Sequence, residues 1–272
     1  MIKQAILPVA GLGTRFLPWT KAVPKEMLPI GNRPIIALLV DTCLSVGITD
    51  ICFVISHGKE QIPKYFEPDP ALEAELQKRG KADSLAELQR YNDVHFHVVY
   101  QERPLGDGNA ILQAADWVTS DQVAVLFGDD LIVGEQNGLQ QMVKAFDGIT
   151  KTRDTALLCL ENVPKERVSK YGIVDVDEAQ SSGRLKKVKR MVEKPKPEEA
   201  PSTLGIVGHY LIPRSTFDVL PTVTGGRGGE TLLIDALIAQ TGSIDIYGYE
   251  VEGKRLDTGT PAGYKEAVQI LG

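Results

Sequence analysis

The amino-acid sequence predicts an α/β fold, with a mostly parallel sheet covered on both faces by helices. Short β-rich runs alternate with helix-periodic stretches through the first half, the run at 123–127 has the composition of a buried strand, and no repeat or flexible linker breaks the 272 residues. In order, the pattern gives a strand at 5–9, a helix at 34–46 bracketed by Pro34 and Gly47, and a strand at 51–56. Leu72, Leu76, Leu85 and Leu88 among many charges predict a helical surface excursion over 70–90, interrupted at Gly80. A strand at 95–101, a helix at 108–118 and the strand at 123–127 complete this half.

The second half is richer in strands. Runs at 155–161, 171–177 and 185–192 read as strands, the last two joined as a hairpin through Ser181-Ser182-Gly183. A charged, proline-rich loop at 194–201 precedes a strand at 205–212, a helix at 230–240, a strand at 244–250 and a closing helix after Pro261. One domain over 1–272 is expected, with a loose division near residue 150 between a 1–150 half and a 151–272 half.

The length suffices for a full catalytic core without staples. Cys43, Cys52 and Cys159 lie in apolar runs without metal-ligand spacing and read as buried thiols in a reducing compartment. MIKQAILPVAG looks like a first strand rather than a signal peptide, and no apolar run approaches 18 residues. Cytoplasmic residence and no membrane partner are therefore expected. The net charge of -6 argues against a nucleic-acid partner, although a local basic cluster could still bind phosphates.

Ala10-Gly11-Leu12-Gly13-Thr14-Arg15 leaves the first strand with two glycines and a cation. Glycines let backbone amides approach phosphate oxygens, which an arginine then clamps; a tight βα turn explains the same glycines. A dinucleotide fingerprint is excluded because its third glycine would fall at Phe16, and a Walker loop because Gly-Lys-Ser/Thr is missing. Further on, Pro24 and Pro29 stiffen the loop that carries Lys25, which makes it a better candidate than Lys21 for a triphosphate contact. The strand at 123–127 ends in Asp129 and Asp130, where open α/β sheets place their ligands.

The stretch AGLGTRFLPWTKAVPKEMLPI resembles the amino-terminal signature of bacterial glucose-1-phosphate uridylyltransferases, within the sugar-nucleotide pyrophosphorylases. The resemblance extends from residue 3 to about residue 268. It implies a Rossmann-like nucleotidyltransferase fold whose mixed, mostly parallel central sheet is flanked by helices, with a smaller β-rich acceptor region. The expected substrates are UTP and glucose 1-phosphate, with Mg2+ as cofactor and a homodimer or homotetramer as the assembly.

Carried over residue by residue, the resemblance assigns nucleotide binding to Ala10, Gly11, Gly13, Thr14, Gln101, Gly106 and Asp129. It places Arg15 and Lys25 on the departing pyrophosphate, Lys194 on the incoming phosphate, and a metal between Asp129 and Asp257, with Asp130 a neighbouring support. Gly172, Glu193, Lys194 and Glu230 are expected around the sugar phosphate, Glu230 within Gly228-Gly229-Glu230-Thr231. The chain departs from the family pattern at Asp107 and Asn109, where Leu and His are usual, at Thr258, where Cys is common, and at His209, where Arg is common. In Leu232-Leu233-Ile234-Asp235 only the aspartate of the usual polar run is retained. A thymidylyltransferase using dTTP and a catalytically silent regulatory relative are the alternatives.

Overall fold

The computed structural model describes residues 2–223 and 229–272, so the expectation at Gly228 lies outside the described residues. Strand β1 (Gln4–Pro8) leads through three 3-10 turns, Thr14–Phe16, Trp19–Lys21 and Lys25–Met27, to a short ladder of β2 (Pro29–Ile30) with β3 (Arg33–Pro34). Then come α1 (Ile35–Leu44), β4 (Asp50–Ile55), α2 (Gln61–Lys64), α3 (Pro70–Lys78), α4 (Ala82–Leu88) and β5 (His95–Tyr100). They are followed by α5 (Asp107–Leu112), β6 (Gln122–Leu126), β7 (Asp130–Val133) and α6 (Gly138–Asp147). The rest of the chain forms β8 (Thr155–Asn162), β9 (Gly172–Ser182), β10 (Leu185–Glu193), β11 (Leu204–Pro213) and α7 (Thr216–Val219). It ends with α8 (Leu233–Ala239), β12 (Asp245–Glu250), β13 (Lys254–Asp257) and α9 (Pro261–Leu271).

A nine-stranded sheet runs through both halves in the order β5-β4-β1-β6-β11-β8-β12-β10-β9. Strands β5, β4, β1 and β6 are mutually parallel. The sheet becomes mixed at β11, which is antiparallel to both β6 and β8. Its two faces are both covered: Ala5 and Leu7 pack with Ile51, Phe53 and Leu126 on one side, while Ile6 packs with Cys52, Val54 and Val125 on the other. That is why β1, β4 and β6 are apolar on both faces after their first residue. No helix among the described residues is long and apolar enough to cross a membrane.

Two helices differ from expectation at their ends. The helix expected over 108–118 stops at Leu112, because the amides of Gln113, Ala114 and Ala115 bond three residues back and tighten the chain into turns. The helix expected from residue 230 starts at Leu233, whose amide donates to Asp107 Oδ1 at 2.8 Å. The surface excursion divides at Gly80 as expected, with φ of 64° between α3 and α4.

Seven of these elements are additional to the sequence reading: the short β2, β3, α2 and α7, and α6, β7 and β13. Helix α6 opens with a reciprocal cap between Asn137 and Gln140, a signal present in the sequence. Strands β7 and β13 are four residues each and pair with one another, so neither has a local signature.

Candidate active site

Because β1, β4, β5 and β6 are parallel, their carboxyl ends open on one edge of the sheet. The chain leaves them into the Ala10–Arg15 loop, Lys59, Gln101 and Asp129 respectively. The β7–β13 ladder places Asp257 opposite Asp130, so two distant segments deliver carboxylates to this edge.

The loop after β1 is closed by Gly13, at φ of 63°, whose carbonyl accepts from Thr20 Oγ1 at 2.9 Å. Lys25 Nζ lies 2.7 Å from Asp129 Oδ2. Burial works to lower the Lys25 ammonium, but the Asp129 and Glu26 carboxylates outweigh it and hold it above its ordinary value. Burial likewise works to raise Asp129, yet Lys25, Arg255 and Arg15 keep it below the usual carboxylate range. Asp129 therefore stays ionised.

Asp130 has a different environment. Its carboxylate accepts from the Gly208 amide at 3.0 Å and from Arg255 Nε at 2.5 Å, and burial pushes it up to about 6. It braces the floor of the site. His209 is buried beside it, its Nε2 3.1 Å from the Asp130 carbonyl, and burial lowers it to about 4. A neutral ring donating to that carbonyl agrees with a structural histidine. Thr258, where the family often has cysteine, donates through both its amide and its hydroxyl to the Asp129 carbonyl, at 2.7 and 3.1 Å.

Asp129 and Asp257 converge at Gly259. A Cβ at that position would stand 2.6 Å from Asp129 Oδ2 and 3.1 Å from Asp257 Oδ1, so the missing side chain leaves a notch that both carboxylates face. Among the described residues no cluster of three or more His, Cys, Asp or Glu is built for a metal. Two carboxylates suit an ion that takes its remaining ligands from phosphates and water.

Two cavities meet at this edge. The smaller, about 520 Å³, is lined by Ala10, Gly11, Lys25, Gln101, Gly106 and Glu230 among others. The larger, about 680 Å³, is lined by Gly172, Glu193, Asp257, Arg167 and Lys170 among others. Arg15, Asp107, Phe127, Asp129, Lys194 and Leu232 belong to both walls. The expected nucleotide and sugar-phosphate residues thus separate largely into adjoining spaces. Glu230 is the exception, since it lines the smaller cavity rather than the one holding Gly172 and Glu193. Gly13 and Thr14 line neither and shape the turn instead, while Lys21 is exposed at the end of its own turn.

Lys194 is the one non-glycine residue at positive φ among the described residues, at 47°. That conformation costs about 1–3 kcal/mol and is retained where surrounding contacts over-determine it. Here the Lys194 amide donates to the Tyr171 carbonyl at 3.0 Å, and Nζ lies 2.8 Å from Glu193 Oε1. At Gly172 a Cβ would reach within 2.4 Å of Ile234 Cδ1 and 3.2 Å of Glu193 Oε2. Only glycine leaves Glu193 its place at the wall.

Asp107 fixes the start of α8 through Leu233, and burial raises it to about 6. Sequence reasoning missed Lys59, which is buried and donates to the Val9 carbonyl at 2.6 Å and to Glu26 Oε2 at 3.0 Å. This tether ties the Lys25 turn to the end of β1, and nothing around Lys59 in the sequence announces it. Arg167, Lys170 and Arg255 were also missed. The charged run 165–170 just before Tyr171 and the position of Arg255 beside Asp257 were the available signals.

A family model described as nucleotidyl transferase matches residues 4–271. A Bacillus subtilis (strain 168) protein, UTP–glucose-1-phosphate uridylyltransferase YngB, is 39% identical over 271 residues, covering 99% of this chain and 89% of that protein. Among solved structures, the UTP-bound UGPase from Acinetobacter baumannii superposes with a TM-score of 0.90 at 36% identity, covering 100% of this chain and 94% of the other. A UDP-glucose pyrophosphorylase complexed with UDP-glucose gives 0.88 at 32% identity, covering 99% and 98%.

Proposed function

The chain belongs to the nucleotidyl transferase family, and on that premise we propose that it transfers the uridylyl group of UTP to glucose 1-phosphate, forming UDP-glucose and pyrophosphate. Relatives bearing the names of that activity match nearly the full length of the chain. The observation that carries the reading is the common wall of the two cavities, where Arg15, Asp129 and Lys194 stand together. Two anionic substrates meeting end to end need cations and a metal-binding carboxylate at their junction.

In this reading the smaller cavity takes UTP and the larger takes the sugar phosphate. A phosphate oxygen of glucose 1-phosphate attacks the α-phosphorus of UTP. The bond from that phosphorus to the β-phosphate bridging oxygen breaks, and pyrophosphate leaves with the electron pair, opposite the attacking oxygen. No covalent enzyme intermediate is required, so alignment and charge compensation are the catalytic contributions. Lys194 holds the incoming phosphate, while Arg15 and Lys25 stabilise the departing pyrophosphate. Glu193 accepts from sugar hydroxyls, and Gly172 lets the sugar lie against the backbone.

Asp129 and Asp257 fit Mg2+, because their oxygens face one notch and are hard donors. When bound there, the ion supplies positive charge to the phosphate oxygens. A homodimer or homotetramer belongs to the same reading and rests on the sequence resemblance, while cytoplasmic residence is proposed from the sequence patterning.

Pyrophosphate release by the purified protein with Mg2+ tests the proposal, with UTP, dTTP, CTP, ATP and GTP each paired with several hexose 1-phosphates. UTP with glucose 1-phosphate should dominate. Dominance of dTTP would make the chain a thymidylyltransferase, and no release from folded, nucleotide-binding protein would make it a silent relative.

A further inference from the structure

We infer that Asn109 is a positioning residue for base selection, taking the second hydrogen of the Gln101 side-chain amide beside the Gly106 carbonyl, so that the amide is locked with its oxygen, and not its nitrogen, presented to the nucleotide. The inference rests on the proposed binding of UTP in the smaller cavity, takes Gln101 as the group that meets the base there, and adds what locks the amide with one end toward it.

Gln101 is buried and lines that cavity. Its Nε2 lies 2.9 Å from the Gly106 carbonyl oxygen and 2.9 Å from Asn109 Oδ1. A backbone carbonyl can only accept, so the atom beside Gly106 must be the amide nitrogen. The second N–H is then directed at Asn109, whose oxygen accepts it. Both donors of Gln101 are consumed, and the capacity left on the side chain is the Oε1 acceptor.

Asn109 is itself held in place. Its amide donates to the Thr231 carbonyl at 3.2 Å, and its own carbonyl accepts from Gln113 Nε2 at 3.0 Å. The residue sits in the first turn of α5, directly after the Gly106 turn that supplies the other acceptor. The cap, the turn and the glutamine form one hydrogen-bonded unit.

An acceptor at this point discriminates among pyrimidines. Uracil and thymine carry a hydrogen on N3 and can donate to Oε1. Cytosine presents a lone pair at N3, so two acceptors would face each other and one buried polar group would go unsatisfied. Replacing Asn109 by an apolar residue leaves the Gly106 carbonyl as the remaining anchor of the amide nitrogen, so a rotation that turns an Nε2 hydrogen toward the cytosine lone pair breaks one hydrogen bond instead of two.

The test is calorimetric titration of UTP and CTP, with Mg2+, into wild-type protein and the variants Asn109→Leu, Asn109→Asp and Gln101→Leu. Asn109→Leu should reduce the UTP-over-CTP affinity ratio by about ten-fold, the scale of one unsatisfied hydrogen bond. Asn109→Asp keeps the Oδ1 acceptor and should retain the ratio. A merely structural role for Asn109 would weaken both nucleotides equally and leave the ratio at its wild-type value, which overturns the inference. Should Asn109→Leu not fold, Asn109→Ala carries the same expectation. If Gln101→Leu collapses the ratio while the Asn109 variants keep it, Asn109 has no positioning role and the base-reading glutamine stands. If Gln101→Leu also keeps the ratio, the underlying reading of Gln101 falls with the inference.

Discussion

Beside the smaller cavity, Lys25 reaches Asp129 across 104 residues, Lys59 reaches Glu26 across 33, and Arg15 touches the Gly259 carbonyl across 244. Beside the larger cavity, Lys194 pairs with its immediate neighbour Glu193, and its direction is set by one left-handed backbone conformation. The first arrangement exists only once the sheet has closed. The second is written into a few consecutive residues at the end of β10. Charge is also buried differently: Lys25 and Lys59 are largely enclosed, whereas about half of the Lys194 side chain is exposed, at 48%. Lys25 and Lys59 are thus held in place before substrate arrives, while Lys194 has only a partly solvated partner to give up.

The sharpest way to break this comparison is Asp129→Asn, which removes the charge shared by Lys25 and the proposed metal position. Turnover should fall by about 10²–10³-fold while the thermal melt stays close to wild type, in the range lost with one transition-state stabilising group. Wild-type turnover at saturating Mg2+ would remove Asp129 from the proposed machinery. Next in size is Lys59→Met, which leaves Glu26 buried without its partner and should cost about 3–5 kcal/mol in urea unfolding. The double variant Glu26→Leu/Lys59→Met should recover most of that stability. If it also recovers full turnover, the tether does not position Lys25 and the two sides differ less than the geometry indicates.

The smallest effect is expected at Lys194→Gly. Relief of the left-handed strain should stabilise the protein by about 1 kcal/mol, and loss of the ammonium should raise the KM for sugar 1-phosphate about ten-fold. Unchanged KM with raised stability would leave Lys194 as strain without a binding role.

Residues singled out in the amino-terminal loop and at 123–130 line the two cavities, and they were legible because glycines, prolines and a strand ending in carboxylates have local causes. Residues that act through a distant partner were harder to read. Lys59 is an ordinary lysine by sequence, and only the packing of β4 against β1 brings it to Val9 and Glu26. Glu230 adjoins glycines in a segment expected at the sugar, yet lines the smaller cavity, since the Thr231 amide donates to the Leu105 carbonyl at 2.7 Å and draws the segment toward that loop. Asp107 breaks the family pattern, and its effect appears only where it meets Leu233 and sets the first turn of α8.

By itself the sequence determined the alternation of strands and helices, the sheet that buries both its faces, and the residue types able to handle phosphate. These follow from periodicity and backbone preference, which act over a few residues. Tertiary structure alone decided that β7 and β13 form a ladder, that Asp130 braces the floor while Asp129 faces the cleft, and that the two cavities share one wall. Adjacent carboxylates on a turning chain point in different directions, and their surroundings come from segments 78 to 129 residues away. Their ionisation depends on those surroundings, so neighbours of the same chemical type end with opposite pKa shifts.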